Sequence, residues 1–285
     1  NVRMAFRHAG AIERLSDPET QHTGHPIRLS GIGQQSQLWD MRIQSIGKGQ
    51  KLVHLADRSS AQAAEKMRVD FVANASHELR TPLATLLGFI ETLQGPAKAD
   101  EKARTRFLGI MHEQARRMSR LIDDLLSLSR IEQRAHHAPQ QPVDLVAIIR
   151  EIIDSLSVVA LERGVTVNGP APGLSIIVSG DRDELLRLVE NLVENAIKYG
   201  QDAKKQDGKK VDVGIRSEAD QVILSVRDYG PGIPSEHIPR LTERFYRIDV
   251  GASREAGGTG LGLAIVKHII LRHRGRLTVE SELGQ

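Results

Sequence analysis

The chain has 285 residues, enough for about two domains at a typical ~150 residues each. It contains no cysteine, which excludes disulfide scaffolds, Cys-ligated zinc, thiol catalysis and thiol redox sensing. Hydrophobic residues make up 40% and charged residues 26%, the balance of a folded protein, while a net charge of +3 with only 3% aromatics argues against a base-stacking nucleic-acid binder.

No run approaches 18 uninterrupted apolar residues and no signal peptide is read at the start. The first residue is Asn1, so the sequence reads as a piece cut from a longer chain. Residues 1–58 show extended alternation at Ile27–Leu29, Leu38–Ile43 and Lys51–Leu55, with Gly47-Lys48-Gly49 as a hairpin connection. This predicts three antiparallel strands. His22 and His25 have a spacing a metal site could use, but with no second pair they are assigned to a loop.

Residues 59–135 are helical by period. Val69, Val72, Ser76, Leu79, Leu83, Leu86, Ile90 and Leu93 alternate steps of three and four, a heptad seam that is apolar except at Ser76. Gln94-Gly95-Pro96 breaks the helix. A second seam follows at Phe107, Met111, Gln114, Met118, Leu121, Leu125 and Leu128, widened by Ile110, Ile122 and Leu126. Two such helices make an antiparallel hairpin, and so wide an apolar stripe predicts that two chains associate as a four-helix bundle. A plain coiled-coil spacer would show the same seam.

Residues 136–143 read as a linker, rich in Pro and Gln. Residues 144–285 then alternate helix and strand as an α+β domain. Asp144 is the expected N-cap of a helix that Gly164 stops. Strands are predicted at Val165–Val167, Ser175–Val178, Val211–Ser217, Gln221–Asp228 and Arg276–Glu280, and helices at 182–199 and 262–274.

Four groups carry chemistry. His77 lies one position past the seam residue Ser76 and so points outward, with Glu78 beside it, Thr81 one turn on and Pro82 inside the helical pattern, where it should kink the helix. An exposed imidazole with a neighbouring carboxylate can serve as a nucleophile. Asn191, Asn195 and Lys198 share a helical face, and two amides with an ammonium suit a Mg²⁺-bound polyphosphate, although a solvated polar face would carry the same residues. Asp228-Tyr229-Gly230-Pro231-Gly232-Ile233 ends a strand in a tight turn, where the Asp can accept from an exocyclic amine. Gly257-Gly258-Thr259-Gly260-Leu261-Gly262-Leu263 opens a helix as an anion-binding loop, with neither Walker nor dinucleotide-fold spacing.

In order and spacing these groups resemble the boxes of sensor histidine kinases, with the similarity closest to the phosphate-regulon sensor kinases. Phe71–Leu83 resembles the H box, Asn191–Tyr199 the N box, Asp228–Ile233 the G1 box, Glu243-Arg244-Phe245-Tyr246-Arg247 the F box and Gly258–Leu263 the G2 box. The resemblance implies a phosphotransfer hairpin at 59–135 that dimerises, and a Bergerat-type ATP-binding sandwich at 144–285. His77 would take the γ-phosphoryl group of ATP, Glu78 would act as base or ring orienter, and Thr81 would position water when a partner response regulator is dephosphorylated. Asn191 and Asn195 would hold Mg²⁺, Lys198 and Arg247 the phosphates, and Asp228 the adenine amine. Tyr199 would line the base, and Gly230, Gly232, Gly258, Gly260 and Gly262 would shape the pocket and its lid. Ile233, Phe245, Thr259, Leu261 and Leu263 would also belong to the nucleotide-binding set.

Residues 1–58 resemble the last three strands of a PAS sensor domain, and relatives continue past Gln285 with a final strand. The expected setting is the cytoplasmic portion of a sensor anchored in a bacterial inner membrane through segments outside this sequence. Two other functions fit parts of the pattern: a dimeric scaffold that binds nucleotide without transfer, and a chaperone- or repair-type Bergerat ATPase. The latter leaves the hairpin carrying His77 unexplained.

Overall fold

The structure, a computed structural model, describes residues 11–12, 26–30, 38–47, 50–134, 137–200, 209–248 and 258–283. His22 and His25 lie outside the described residues. The chain divides into two compact units, 1–77 and 78–285.

The first unit holds the three strands read from the alternation: β1 (Ile27–Ser30), β2 (Leu38–Gly47) and β3 (Gln50–Asp57), antiparallel in that order. Ile27 pairs with Met41 and Trp39 with Asp57. Period-two alternation sends Leu29, Met41 and Ile43 to one buried cluster, with Trp39 and Val53 packed on it. The exit is tied down locally. The Leu38 amide donates to Ser59 Oγ, and Ser59 holds the Asp57 carboxyl below its ordinary value, first through its hydroxyl and then through its amide, which donates to Oδ1 at 2.8 Å.

Helix α1 (Ser59–Gln94) begins there and runs unbroken through Pro82, its one buried residue. The Pro therefore does not end the helix. Its missing N–H removes one intrahelical bond, and burial of the ring accompanies its retention. In the second unit the expected break at 94–96 leads to α2 (Glu101–Gln133), capped by Asp100, whose carboxylate accepts the Ala103 amide at 2.9 Å. Phe89 and Phe107 stack across the hairpin with ring centroids 4.8 Å apart. Within one chain Leu121, Leu128 and Ile131 are buried, while Leu83, Leu87, Leu108 and Leu126 stay largely exposed.

The remainder is an α+β module. Strand β4 (Gln141–Asp144) pairs antiparallel with β6 (Ile177–Gly180). The linker reading from composition overlaps β4, whose Pro142 is tolerated because the strand has one neighbour only. Asp144 ends β4 and caps α3 (Leu145–Arg163), accepting from the Val146 and Ala147 amides while its other oxygen accepts from Ser175 Oγ at 2.7 Å. Gly164, at φ 66°, closes the helix in the left-handed conformation expected of it. A second sheet runs β5 (Thr166–Asn168), β7 (Lys210–Glu218), β8 (Gln221–Asp228), with β5 parallel to β7 and β7–β8 a hairpin.

Helices α4 (Arg182–Tyr199) and α5 (Gly262–Arg272) pack against each other, and α3 packs on α4. Ile149, Val189, Val193, Ile197, Ile265 and Ile269 form a fully buried core. Residues 276–280, read as a strand, make no ladder pairing. The segment after them instead turns beside the Gly232 loop, where Ser281 Oγ accepts the Ile233 amide at 2.9 Å. No helix among the described residues is long and apolar enough to cross a membrane.

Candidate active site

Four of the sequence motifs meet in the α+β module, and its glycines mark the contacts. A Cβ built on Gly262 would stand 2.5 Å from Asn191 Oδ1 and 3.8 Å from Asn195 Nδ2, so the first turn of α5 lies against the asparagine face of α4. Only a residue without a side chain permits that approach. The amide of Asn191 is fixed because Nδ2 donates to the Arg187 carbonyl at 2.8 Å, leaving Oδ1 toward Gly262. Asn191 Oδ1 and the Asn195 amide thus lie at one place, and an amide oxygen is a hard donor of the kind Mg²⁺ accepts while it keeps waters and phosphate oxygens. Among the described residues no cluster of three or more His, Asp or Glu side chains forms an all-protein metal cage.

The Phe245 amide donates to the Gly260 carbonyl at 2.7 Å, joining the 243–247 loop to the glycine loop. Phe245 itself has φ 63°, a left-handed conformation that costs a bulky residue about 1–3 kcal/mol and is kept where the surroundings dictate it. Leu261 is fully buried at the start of α5, and its amide donates to Thr259 Oγ1. Leu263 is half-buried, as is Gly258; Gly257 lies outside the described residues.

At the other end of α4, Gly200 and Gly230 abut, and the Asp228 side chain lies against Gly200. Asp228 Oδ1 accepts the Gly230 amide at 3.0 Å, which shapes the turn and leaves Oδ2 as an acceptor. Tyr229 is drawn away to the sheet, its hydroxyl donating to Asp212 Oδ2 at 2.7 Å. Asn168, Tyr229 and Lys210 together hold the Asp212 carboxyl down to about 2. Because that value lies below the ordinary 3.8, the ionised carboxylate favours the folded state above it, and the benefit fades as pH falls toward 2. The stability advantage of the wild type over Asp212→Asn, read from urea midpoints, is expected to be full above about pH 5 and to shrink between about pH 4 and pH 2. A difference that stays constant with pH would contradict this role.

Lys198 has a carboxylate partner on its own helix. Its Nζ pairs with Glu194 Oε1 at 2.7 Å, one turn back on the same helix. Tyr199 is 41% exposed.

On the hairpin His77 is exposed, as its offset from the seam predicts, and Thr81 is exposed one turn on. Glu78 is half-buried, and its Oε2 accepts from Arg117 Nη2 at 3.1 Å and from Arg247 Nη2 at 2.9 Å. Two further carboxylates of α2 reach the α+β module. Asp124 Oδ1 accepts from Arg187 Nη2 at 2.6 Å and Oδ2 from Thr259 Oγ1 at 2.7 Å. Glu132 pairs with Arg244 and lies 3.4 Å from His268 Nε2, whose protonation is disfavoured first by burial. Arg272, paired with Glu184 and Asp181, donates through Nε to the Arg134 and His137 carbonyls just past α2. Sequence reading did not single out Arg117, Asp124, Glu132, Arg187, Gly200 or Arg272. Asp124 left one trace, as half of the Asp123-Asp124 pair inside the otherwise apolar stretch Leu121–Leu126.

Residues 67–134 match the His Kinase A (phospho-acceptor) domain family, and residues 180–285 match the histidine kinase-, DNA gyrase B- and HSP90-like ATPase family. The chain is 39% identical over 242 residues to the phosphate regulon sensor protein PhoR of Pseudomonas aeruginosa, covering 84% of this chain and 53% of that protein. It is 35% identical over 233 residues to the sensor protein kinase WalK of Staphylococcus saprophyticus, covering 81% of this chain and 37% of that one. The chain thus spans about half or less of the length of these relatives. Among solved structures, full-length ShkA in complex with AMPPNP is 27% identical with a TM-score of 0.50, covering 76% of this chain and 43% of that one. Histidine kinase ThkA in complex with response regulator protein TrrA shares the fold at 17% identity and a TM-score of 0.52, covering 78% of this chain and 68% of that one.

Proposed function

Because the chain belongs to the sensor histidine kinases of two-component systems, we propose that it transfers the γ-phosphoryl group of ATP to His77 and then to an aspartate of a response regulator. The observation that carries this reading is the meeting of Asn191, Asn195, the Phe245–Arg247 loop and Gly260–Gly262 at the head of α5, with Arg247 reaching the carboxylate next to His77 in sequence.

A neutral ring nitrogen of His77 attacks the γ-phosphorus. The bond from phosphorus to the bridging oxygen breaks, ADP leaves, and a phosphoramidate remains. Glu78 orients the ring or accepts its second proton, which keeps the attacking nitrogen's lone pair available. The α+β module's part is positioning and charge. Asn191 and Asn195 would hold Mg²⁺, which supplies charge neutralisation on the phosphates. Lys198, Thr259 and Arg247 would face the phosphate chain, and Asp228 Oδ2 the adenine amine. Tyr199, Ile233 and Phe245 would border the base, while Gly230, Gly232, Gly258, Gly260, Leu261, Gly262 and Leu263 give the loops their close approach. ShkA, the relative in complex with AMPPNP, supports nucleotide binding at such a site, and ThkA, in complex with TrrA, supports a response regulator as partner.

Thr81, one turn beyond His77, is the residue proposed to position water when the same surface dephosphorylates the regulator. The apolar side chains left exposed on the hairpin, Leu83, Leu87 and Leu126 among them, support a homodimer through a four-helix bundle. The three-stranded sheet of the first unit is read as the closing part of a PAS-like sensor domain. The test is a phosphotransfer profile: the chain labelled from [γ-³²P]ATP is mixed with a panel of purified receiver domains. One receiver is expected to take the label much faster than the others. A labelled chain that passes label to none would remove the regulator from this proposal.

A further inference from the structure

Arg247 is nearly sealed, its side chain 5% exposed, yet its guanidinium is only partly used. Nη2 donates to Glu78, while Nε is buried with no hydrogen-bond partner. That N–H lies beside the glycine loop, since a Cβ built on Gly260 would stand 3.3 Å from Nε. A buried donor without an acceptor is costly, so its retention next to an anion-binding loop points to an acceptor that arrives there. Nε and Nη2 form one edge of the guanidinium, the planar fork that matches two oxygens of a phosphate. The fork cannot close on a phosphate while Nη2 is committed to Glu78.

Glu78 is prepared for losing that partner. Arg117, on α2, holds the same carboxylate oxygen at 3.1 Å, with both side chains under a fifth exposed. Withdrawal of Arg247 leaves the carboxylate still oriented by Arg117. The seam around it is arranged in the same sense, because Asp124 takes the Thr259 hydroxyl of the glycine loop and the Arg187 guanidinium of α4. Hairpin carboxylates thus occupy, in this structure, donors that the nucleotide loops would turn toward phosphate.

We propose that Arg247 is a positioning residue with two alternative partners, the Glu78 carboxylate and a phosphate of the bound nucleotide. Nucleotide arrival exchanges one for the other. The exchange raises the proton affinity of Glu78, since a carboxylate that loses a guanidinium partner becomes a stronger base. Glu78 follows His77 in the helix, so the base becomes competent when the phosphoryl donor is in place. This rests on the reading of His77 as acceptor given above, but its nucleotide-binding consequence does not require transfer. Coupling is reciprocal, so the competition lowers nucleotide affinity by the factor with which nucleotide weakens the ion pair.

The test is a double-mutant cycle on the whole chain, titrating AMPPNP with Mg²⁺ by calorimetry into the wild type, Glu78→Gln, Arg247→Gln and the double variant. Glu78→Gln is expected to bind AMPPNP about 10-fold more tightly. Arg247→Gln is expected to bind more weakly, and adding Glu78→Gln to it should change nothing. A gain in affinity is not something a damaged fold produces. Unchanged or weaker binding by Glu78→Gln, or the same gain in the Arg247→Gln background, overturns the exchange. If the wild type binds AMPPNP and Glu78→Gln does not differ, the exchange fails and the phosphoryl-transfer reading stands. If no variant binds AMPPNP, both fall.

Discussion

His77→Ala will reduce incorporation of label from [γ-³²P]ATP to background, whereas the wild-type chain will carry a label that is lost in acid and retained in alkali. The lability pattern follows from the bond formed. A phosphoramidate hydrolyses once its nitrogen is protonated, unlike a serine or threonine ester, so the chemistry of the label reports its attachment independently of the mutation. The hairpin presents one other imidazole, His112 on α2, whereas the carboxylate beside His77, Glu78, is tied to an arginine of the nucleotide loops. Affinity for AMPPNP is expected to be unchanged, because His77 is not among the groups that meet at Gly262 and Asp228. Full incorporation by His77→Ala would move the acceptor elsewhere. Multiple-turnover ATP hydrolysis insensitive to His77→Ala would instead favour a different ATPase of the same fold.

What the amino-acid sequence made legible is what local rules govern. The heptad steps of 59–135 yielded α1 and α2 with the break at 94–96, and the offset of His77 from Ser76 yielded its exposure. Asp144 and Gly164 bounded α3 because caps act through neighbours two to five residues away. Strand β4 escaped notice because four residues including Pro142 carry too short a pattern, and its identity depends on β6, more than thirty residues later. The ladder expected at 276–280 did not form, since strand propensity alone does not supply a pairing partner. Of the site, the convergence of the motifs was read from their order, but their pairings were not. Glu78 and Arg247 are 169 positions apart, Asp124 and Thr259 135, and no periodicity links such distances. The Lys198–Glu194 pair was within reach of the i,i+4 rule, and it shows how a phosphate-binding candidate is held before any ligand arrives.

Asp228→Asn should weaken ATP binding by about 10–100-fold, the equivalent of a hydrogen bond to a charged group, with little change in thermal stability. The substitution separates the observed task of this carboxylate from the proposed one. Oδ1 accepts the Gly230 amide and sets the turn, and an asparagine carbonyl oxygen can keep that bond. Oδ2 is replaced by an amide nitrogen, a donor, where the adenine amine requires an acceptor. Affinity therefore falls because two donors would face each other, and the exposure of Asp228 limits the loss. Asp228→Ala loses the turn as well and should fall further, with a measurable loss of stability, because Gly200 and Gly230 abut around this side chain. Comparing ATP with inosine triphosphate, whose base lacks the amine, supplies the decisive contrast. The wild type should prefer ATP and Asp228→Asn should not. A variant that keeps both its affinity and that preference would take Asp228 out of base recognition and leave it as a residue of the turn alone.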